Sequence, residues 1–126
     1  RRDEIALLNE DHSLAPALDR LAAEGAISEE DARNDPRRHM LRSAITGDEI
    51  ELVDVSRKPL ALGPGDLVIL ASDGIHTLSE DEILRVAKGY AVDGPKAVAD
   101  ALIRTVEDQR DPYQDNTTVV VVSLRG

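Results

Sequence analysis

Cysteine is absent from the 126 residues. That excludes thiol catalysis, a disulfide framework and a Cys-ligated zinc site. Phe and Trp are absent as well, and the only aromatic side chains are Tyr90 and Tyr113. Leu, Val, Ile and Ala must therefore fill any core. No apolar run approaches the ~20 residues needed to cross a bilayer. Cations are scarce: 15 Lys and Arg face 25 Asp and Glu, for a net charge of −10. Phosphate-backbone binding wants the opposite sign, so nucleic acid is not an expected partner. No signal peptide is visible and a cytoplasmic location is expected. The opening "RRDEIALL" lacks an initiator Met, so a preceding segment is expected and targeting is not read from it.

What is present suits one α+β domain. The apolar fraction of 41% is enough for a core. Residues 3–8 read as a short strand. Ser13 is placed to cap a helix over 14–24, in which Leu14, Leu18 and Leu21 recur at helical spacing and Gly25 is the stop. Ser28 with Asp31 resembles a capping box for a short helix limited by Pro36. Residues 39–46 read as a strand, and 49–55 as an extended segment of undecided facing. The stretch 62–66, "LGPGD", is a turn by its Gly and Pro. The run 67–71, "LVILA", is expected as a strand covered on both faces. Ser79 with Glu82 is a second capping box, for a helix to about Lys88. Gly94-Pro95 opens a longer helix with the apolar stripe Val98, Ala101, Leu102 and Val106. "TTVVVVSL", 117–124, is a β-branched strand without a breaker.

Carboxylates carry the candidate chemistry. Asp73 leaves the C-terminal end of strand 67–71, and Asp115 stands just before strand 117–124. If those strands are antiparallel neighbours, both acids lie at one edge of the sheet. Asp11 joins them if strand 3–8 runs parallel to strand 67–71. Close carboxylates repel, and a hard divalent cation removes the conflict; oxygen donors select Mg²⁺ or Mn²⁺. Each acid also has an ordinary reading. Asp before Gly is a common turn pair, Asp115-Asn116 is a usual loop ending, and Asp11 neighbours a helix cap. His12 and His76 fit surface or turn positions. Ser72 has neither a base partner nor a surrounding G-x-S-x-G, which argues against a nucleophilic serine.

"GDLVILASDG" at 65–74, "DNTTVVVV" at 115–122 and "NEDHS" at 9–13 resemble the metal-dependent serine/threonine phosphatases of the 2C type, the PPM family, in its bacterial form. The three stand in the family's order, and the likeness spans nearly the whole chain. It implies part of a four-layer α-β-β-α sandwich of mainly antiparallel sheets with packed helices. It also implies hydrolysis of phosphoserine and phosphothreonine in proteins, the substrates of a serine/threonine kinase, by two Mn²⁺ or Mg²⁺ ions, or three, in the complete domain. Asp73 and Asp115 match metal ligands, Asp11 matches a ligand of an additional ion, and Gly74 and Asn116 are expected to support them.

The family's D-G-x-G-G-H and G-D-S-R segments have no counterpart in 1–126. The chain is thus expected to be the C-terminal portion of such a domain, with no catalytic residue beyond metal ligands and no hydrolysis on its own. Thr77 stands where the family often has Asp. The rival expectation is a non-catalytic, phosphatase-like interaction or regulatory domain. The oligomeric state is left open.

Overall fold

The structure, a computed structural model, describes residues 3–50 and 52–125. In chain order these form α1 (Ala15–Ala23), α2 (Glu29–Asn34), β1 (Leu67–Ala71), a 3-10 turn (Asp73–Thr77), α3 (Glu80–Tyr90), a second 3-10 turn (Ala91–Asp93), α4 (Pro95–Asp108) and β2 (Val119–Ser123). They belong to two compact units. One runs over 7–59; the other combines the N-terminal residues up to Ala6 with the chain from Leu60 onward. No helix among the described residues is long and apolar enough to cross a membrane.

The unit over 7–59 is a helical pair. Ser13 is not the cap expected of it: α1 starts at Ala15 behind Leu14, which makes no side-chain cap bond, and the Ser13 hydroxyl accepts from the Ala15 amide at 3.2 Å one residue ahead of the cap position. Gly25, at φ +78°, ends the helix: its amide reaches the Ala22 carbonyl and the Ala26 amide reaches the Leu21 carbonyl. That six-to-one and five-to-two pairing satisfies carbonyls the helix leaves open. Ser28 caps α2 by accepting from the Asp31 amide at 3.0 Å. Asp35, next to Pro36, is extended and stops it. Arg38 ties the pair together, donating to both Asp19 carboxylate oxygens and to the Ala32 carbonyl. Leu18 and Ala32 are the buried side chains.

Three expected extended segments do not become strands. Residues 3–8 form none, and 39–46 contribute only one isolated bridge, Leu41 with Ser13. Of 49–55, Glu51 lies outside the described residues and the others carry no ladder. The reason is physical: a β-rich pattern becomes a strand only where a neighbouring backbone accepts and donates its hydrogen bonds. Ile45, 95% exposed, shows how little packing holds this stretch.

The other unit holds the core. Ser79 and Glu82 form the expected reciprocal capping box: the hydroxyl accepts from the Glu82 amide at 3.2 Å and the carboxylate from the Ser79 amide at 2.8 Å. Gly94, at φ +97°, turns the chain into Pro95, the first residue of α4. All four stripe residues of α4 are buried, with Val98 and Leu102 fully so. Val98, Leu102 and Val106 form one cluster with Ile75, Leu78 and Ala87, and this cluster packs against Leu67, Ile69, Val119 and Val121 of the sheet.

That sheet is two strands, β1 and β2, antiparallel from Leu67 opposite Ser123 to Ala71 opposite Val119. Because side chains alternate, Leu67, Ile69, Val119 and Val121 face the helices. Leu70, Val120 and Val122 lie on the other side and are about half exposed. The expectation that β1 is covered on both faces is therefore corrected: among the described residues one face is covered.

Two outcomes follow. Leu102→Ala empties the centre of the α4–sheet contact and is expected to lower stability by roughly 2–5 kcal/mol, read from denaturant unfolding. The Arg37 guanidinium and amide, both bonded to Asp35, hold its carboxyl down at about 2. A lowered carboxyl favours the fold above its unfolded value of ~4, and that contribution disappears as pH falls through about 2. Side-chain carbon chemical shifts should follow this titration, and Arg37→Gln should return Asp35 toward the ordinary range.

Candidate functional site

The site grows out of the end of the ladder. One residue past β1, the Ser72 amide donates to the Thr118 carbonyl at 3.0 Å. The Ser72 hydroxyl accepts from the Thr118 amide at 2.8 Å and donates to the Asn116 carbonyl at 3.2 Å. Ser72 is thus a fastener between two loops, and its hydroxyl is committed to main chain rather than free to attack a substrate. The next residue, Asp73, opens the 3-10 turn that drops Ile75 and Leu78 into the core. The core therefore anchors the far end of the turn, while Asp73 stays exposed at its start.

The facing loop carries Asp115. Its carboxylate accepts from the Asn116 amide at 2.7 Å and it too is exposed. The antiparallel pairing of β1 and β2 was the condition for Asp73 and Asp115 to share one sheet edge, and the structure meets it. The contacts of Asn116 described above come from its main chain: its amide steadies Asp115 and its carbonyl holds Ser72.

Gly74 is buried where the loops touch. A Cβ there would meet the Thr117 hydroxyl at 2.2 Å, the Asn116 carbonyl at 2.6 Å and the Asp115 carbonyl at 2.8 Å. The expected reason for glycine, a tight turn, gives way to another. Gly74 is not among the positive-φ glycines; it is needed because two backbones come closer than any side chain allows.

Sequence reasoning missed Gln114. Its amide nitrogen reaches the Gly74 carbonyl at 3.0 Å, the Asp115 carbonyl at 2.8 Å and the Thr117 hydroxyl at 3.2 Å. Its amide oxygen accepts from the Thr77 hydroxyl. Nothing in "RDPYQDN" marks that glutamine, because its role depends on a turn forty residues earlier in the chain.

Asp11 belongs to the other unit. The strand that was to bring it alongside Asp73 is not formed, so the condition set for its joining the pair is not met. Its carboxylate accepts from the Ser13 amide at 2.8 Å, a local turn at the entry to α1. Neighbouring His12 is half-buried, with Nε2 bonded to nothing among the described residues, and His76 is exposed.

Chemically, the shared edge presents carboxylate oxygens from two loops, the donor type a hard divalent cation takes. Among the described residues no group of three or more His, Cys, Asp or Glu is placed to hold a metal ion. The donor chemistry fits such a cation, and this edge offers two of the carboxylates it needs. The packing generates one outcome of its own: Gly74→Ala must push the two loops apart. It is expected to cost on the order of 3 kcal/mol, measured by thermal unfolding.

Comparison with known proteins gives this edge a context. The family model described as Stage II sporulation protein E (SpoIIE) matches residues 30–125. The serine/threonine protein phosphatase PstP of Mycobacterium tuberculosis, in strains CDC 1551 and H37Rv, is 31% identical over 125 residues. That stretch is 98% of this chain and 22% of PstP. A crystal structure of the PPM Ser-Thr phosphatase MsPP from Mycobacterium smegmatis, in complex with cacodylate, superposes with a TM-score of 0.63 at 29% identity. It covers 99% of this chain and 50% of MsPP, so the chain spans half of that phosphatase and about a fifth of PstP. The match extends to the α+β architecture, helices packed on an antiparallel sheet. The chain belongs to the SpoIIE family of PPM-type phosphatase domains.

Proposed function

We propose that residues 1–126 are the C-terminal portion of a metal-dependent phosphatase domain that hydrolyses phosphoserine and phosphothreonine in proteins. The observation that carries this reading is the pairing of β1 with β2, which sets the Asp73 and Asp115 loops side by side. PPM phosphatases are metal-dependent; here the ions are read as Mn²⁺ or Mg²⁺. The substrates are read as proteins phosphorylated by a serine/threonine kinase, and the location as cytoplasmic.

When bound, a pair of such ions supplies a water of lowered pKa and positive charge against the phosphate. The chain's own part is to hold ligands. Asp73 and Asp115 would bind the ions from opposite loops. Gly74 permits the loops to close, and the Asn116 amide orients the Asp115 carboxylate through its 2.7 Å bond. For Asp11, whose carboxylate accepts from the Ser13 amide, the role of ligand to an additional ion rests on the family resemblance alone. No residue in 1–126 is assigned a role as nucleophile, general acid or general base.

A second reading is a phosphatase-like domain that regulates or binds without catalysis, on the ground that 1–126 holds neither D-G-x-G-G-H nor G-D-S-R. One experiment separates the two. The protein at its full natural length is assayed for Mn²⁺-dependent phosphate release from a phosphothreonine peptide, beside Asp73→Asn and Asp115→Asn. The phosphatase reading expects turnover that falls about 100-fold or more in each variant. Absence of Mn²⁺-dependent release from the wild type supports the non-catalytic reading, and undiminished turnover in the variants rejects the ligand roles.

A further inference from the structure

We propose that Gln114 is a positioning residue: with the Thr77 hydroxyl, its side-chain amide fixes the Asp73 loop against the Asp115 loop before any cation arrives. The inference rests on the reading of Asp73 and Asp115 as cation ligands and adds the device that holds them.

A glutamine amide offers two N–H donors and one oxygen with two lone pairs. At Gln114 both ends are in use. The nitrogen's two N–H groups are shared among three acceptors, the Gly74 carbonyl on one loop and the Asp115 carbonyl and Thr117 hydroxyl on the other. The oxygen takes the Thr77 proton at the far end of the same 3-10 turn. Gln114 and Thr77 are both half-buried. Asp73 is the immediate neighbour of Gly74, and Asp115 of Gln114. One side chain therefore crosses between the backbones that carry the two acids and grips the turn at two points.

The need for such a clamp is electrostatic. Two carboxylates on adjoining loops repel until a cation neutralises them. Ser72 ties the loops at the ladder end, and Gln114 adds a tie beside the acids themselves, so that the cation need not supply the work of setting their spacing. A preformed spacing removes that cost from binding. The clamp must also be neutral. A carboxylate at 114 would lose the donors to Gly74 and Asp115 and place a further negative charge at the same edge.

The test uses the protein at full natural length, with Mn²⁺ affinity read from the electron paramagnetic resonance signal of free Mn²⁺. Amide hydrogen exchange over 72–77 and 114–118 is followed in the metal-free protein. Gln114→Ala is expected to weaken Mn²⁺ binding about tenfold to a hundredfold and to speed exchange in both loops. Thr77→Val should move both readouts the same way, and Thr77→Ser, which keeps the hydroxyl, should restore them. Ser79→Ala removes the neighbouring helix cap and controls for stability lost without loss of the clamp; its Mn²⁺ affinity should stay at the wild-type value. Wild-type affinity in Gln114→Ala beside a loss in Asp73→Asn overturns the positioning role while leaving the ligand reading intact. Unchanged affinity in Asp73→Asn overturns both.

Discussion

The antiparallel pairing of β1 with β2 is the constraint on which the rest depends. Antiparallel neighbours place the end of one strand beside the beginning of the other. That geometry makes the residues after Ala71 and those before Val119 neighbours, although α3 and α4 lie between them in sequence. The hydroxyl and amide of Ser72 carry the pairing one step past the ladder. Gly74 and Gln114 then hold the two loops together where ladder bonds are no longer possible.

The core explains why the edge keeps its shape. Val98 and Leu102 on α4 are fully enclosed, and Ile75 and Leu78, just beyond Asp73, pack into the same cluster. A polar, exposed acid is thus attached to a buried anchor two residues away. The chain manages this with no Phe or Trp, because aliphatic side chains from a sheet and two helices interlock at short range. Rigid scaffold beneath and exposed acids above is the division of labour a binding loop requires.

Much of this was legible in the sequence where the physics is local. Caps need only the next turn of helix: the Ser79–Glu82 box forms as expected, while of the expected Ser28–Asp31 box one half is seen, the Ser28 hydroxyl accepting from the Asp31 amide. The α4 stripe follows from helical periodicity alone, and the strands from dense β-branched or apolar runs: 67–71 as expected, and 117–124 shortened to 119–123. What was not legible depends on partners far along the chain. Residues 3–8 and 39–46 have strand-like composition but no neighbouring strand among the described residues. Gln114 and the true reason for Gly74 emerge only when two loops are already side by side. A helix cap closes its own bonds within one turn, whereas a strand needs a partner backbone from elsewhere in the chain.

In the proposed reading, one cation-binding edge is built from both loops together. Paramagnetic broadening of backbone amide signals by substoichiometric Mn²⁺ tests it most directly, in the protein at its full natural length. Signals of residues 72–76 and 114–117 should fade in concert, and both groups should survive in Asp73→Asn. Broadening confined to one of the two loops, or centred elsewhere on the chain, would contradict it.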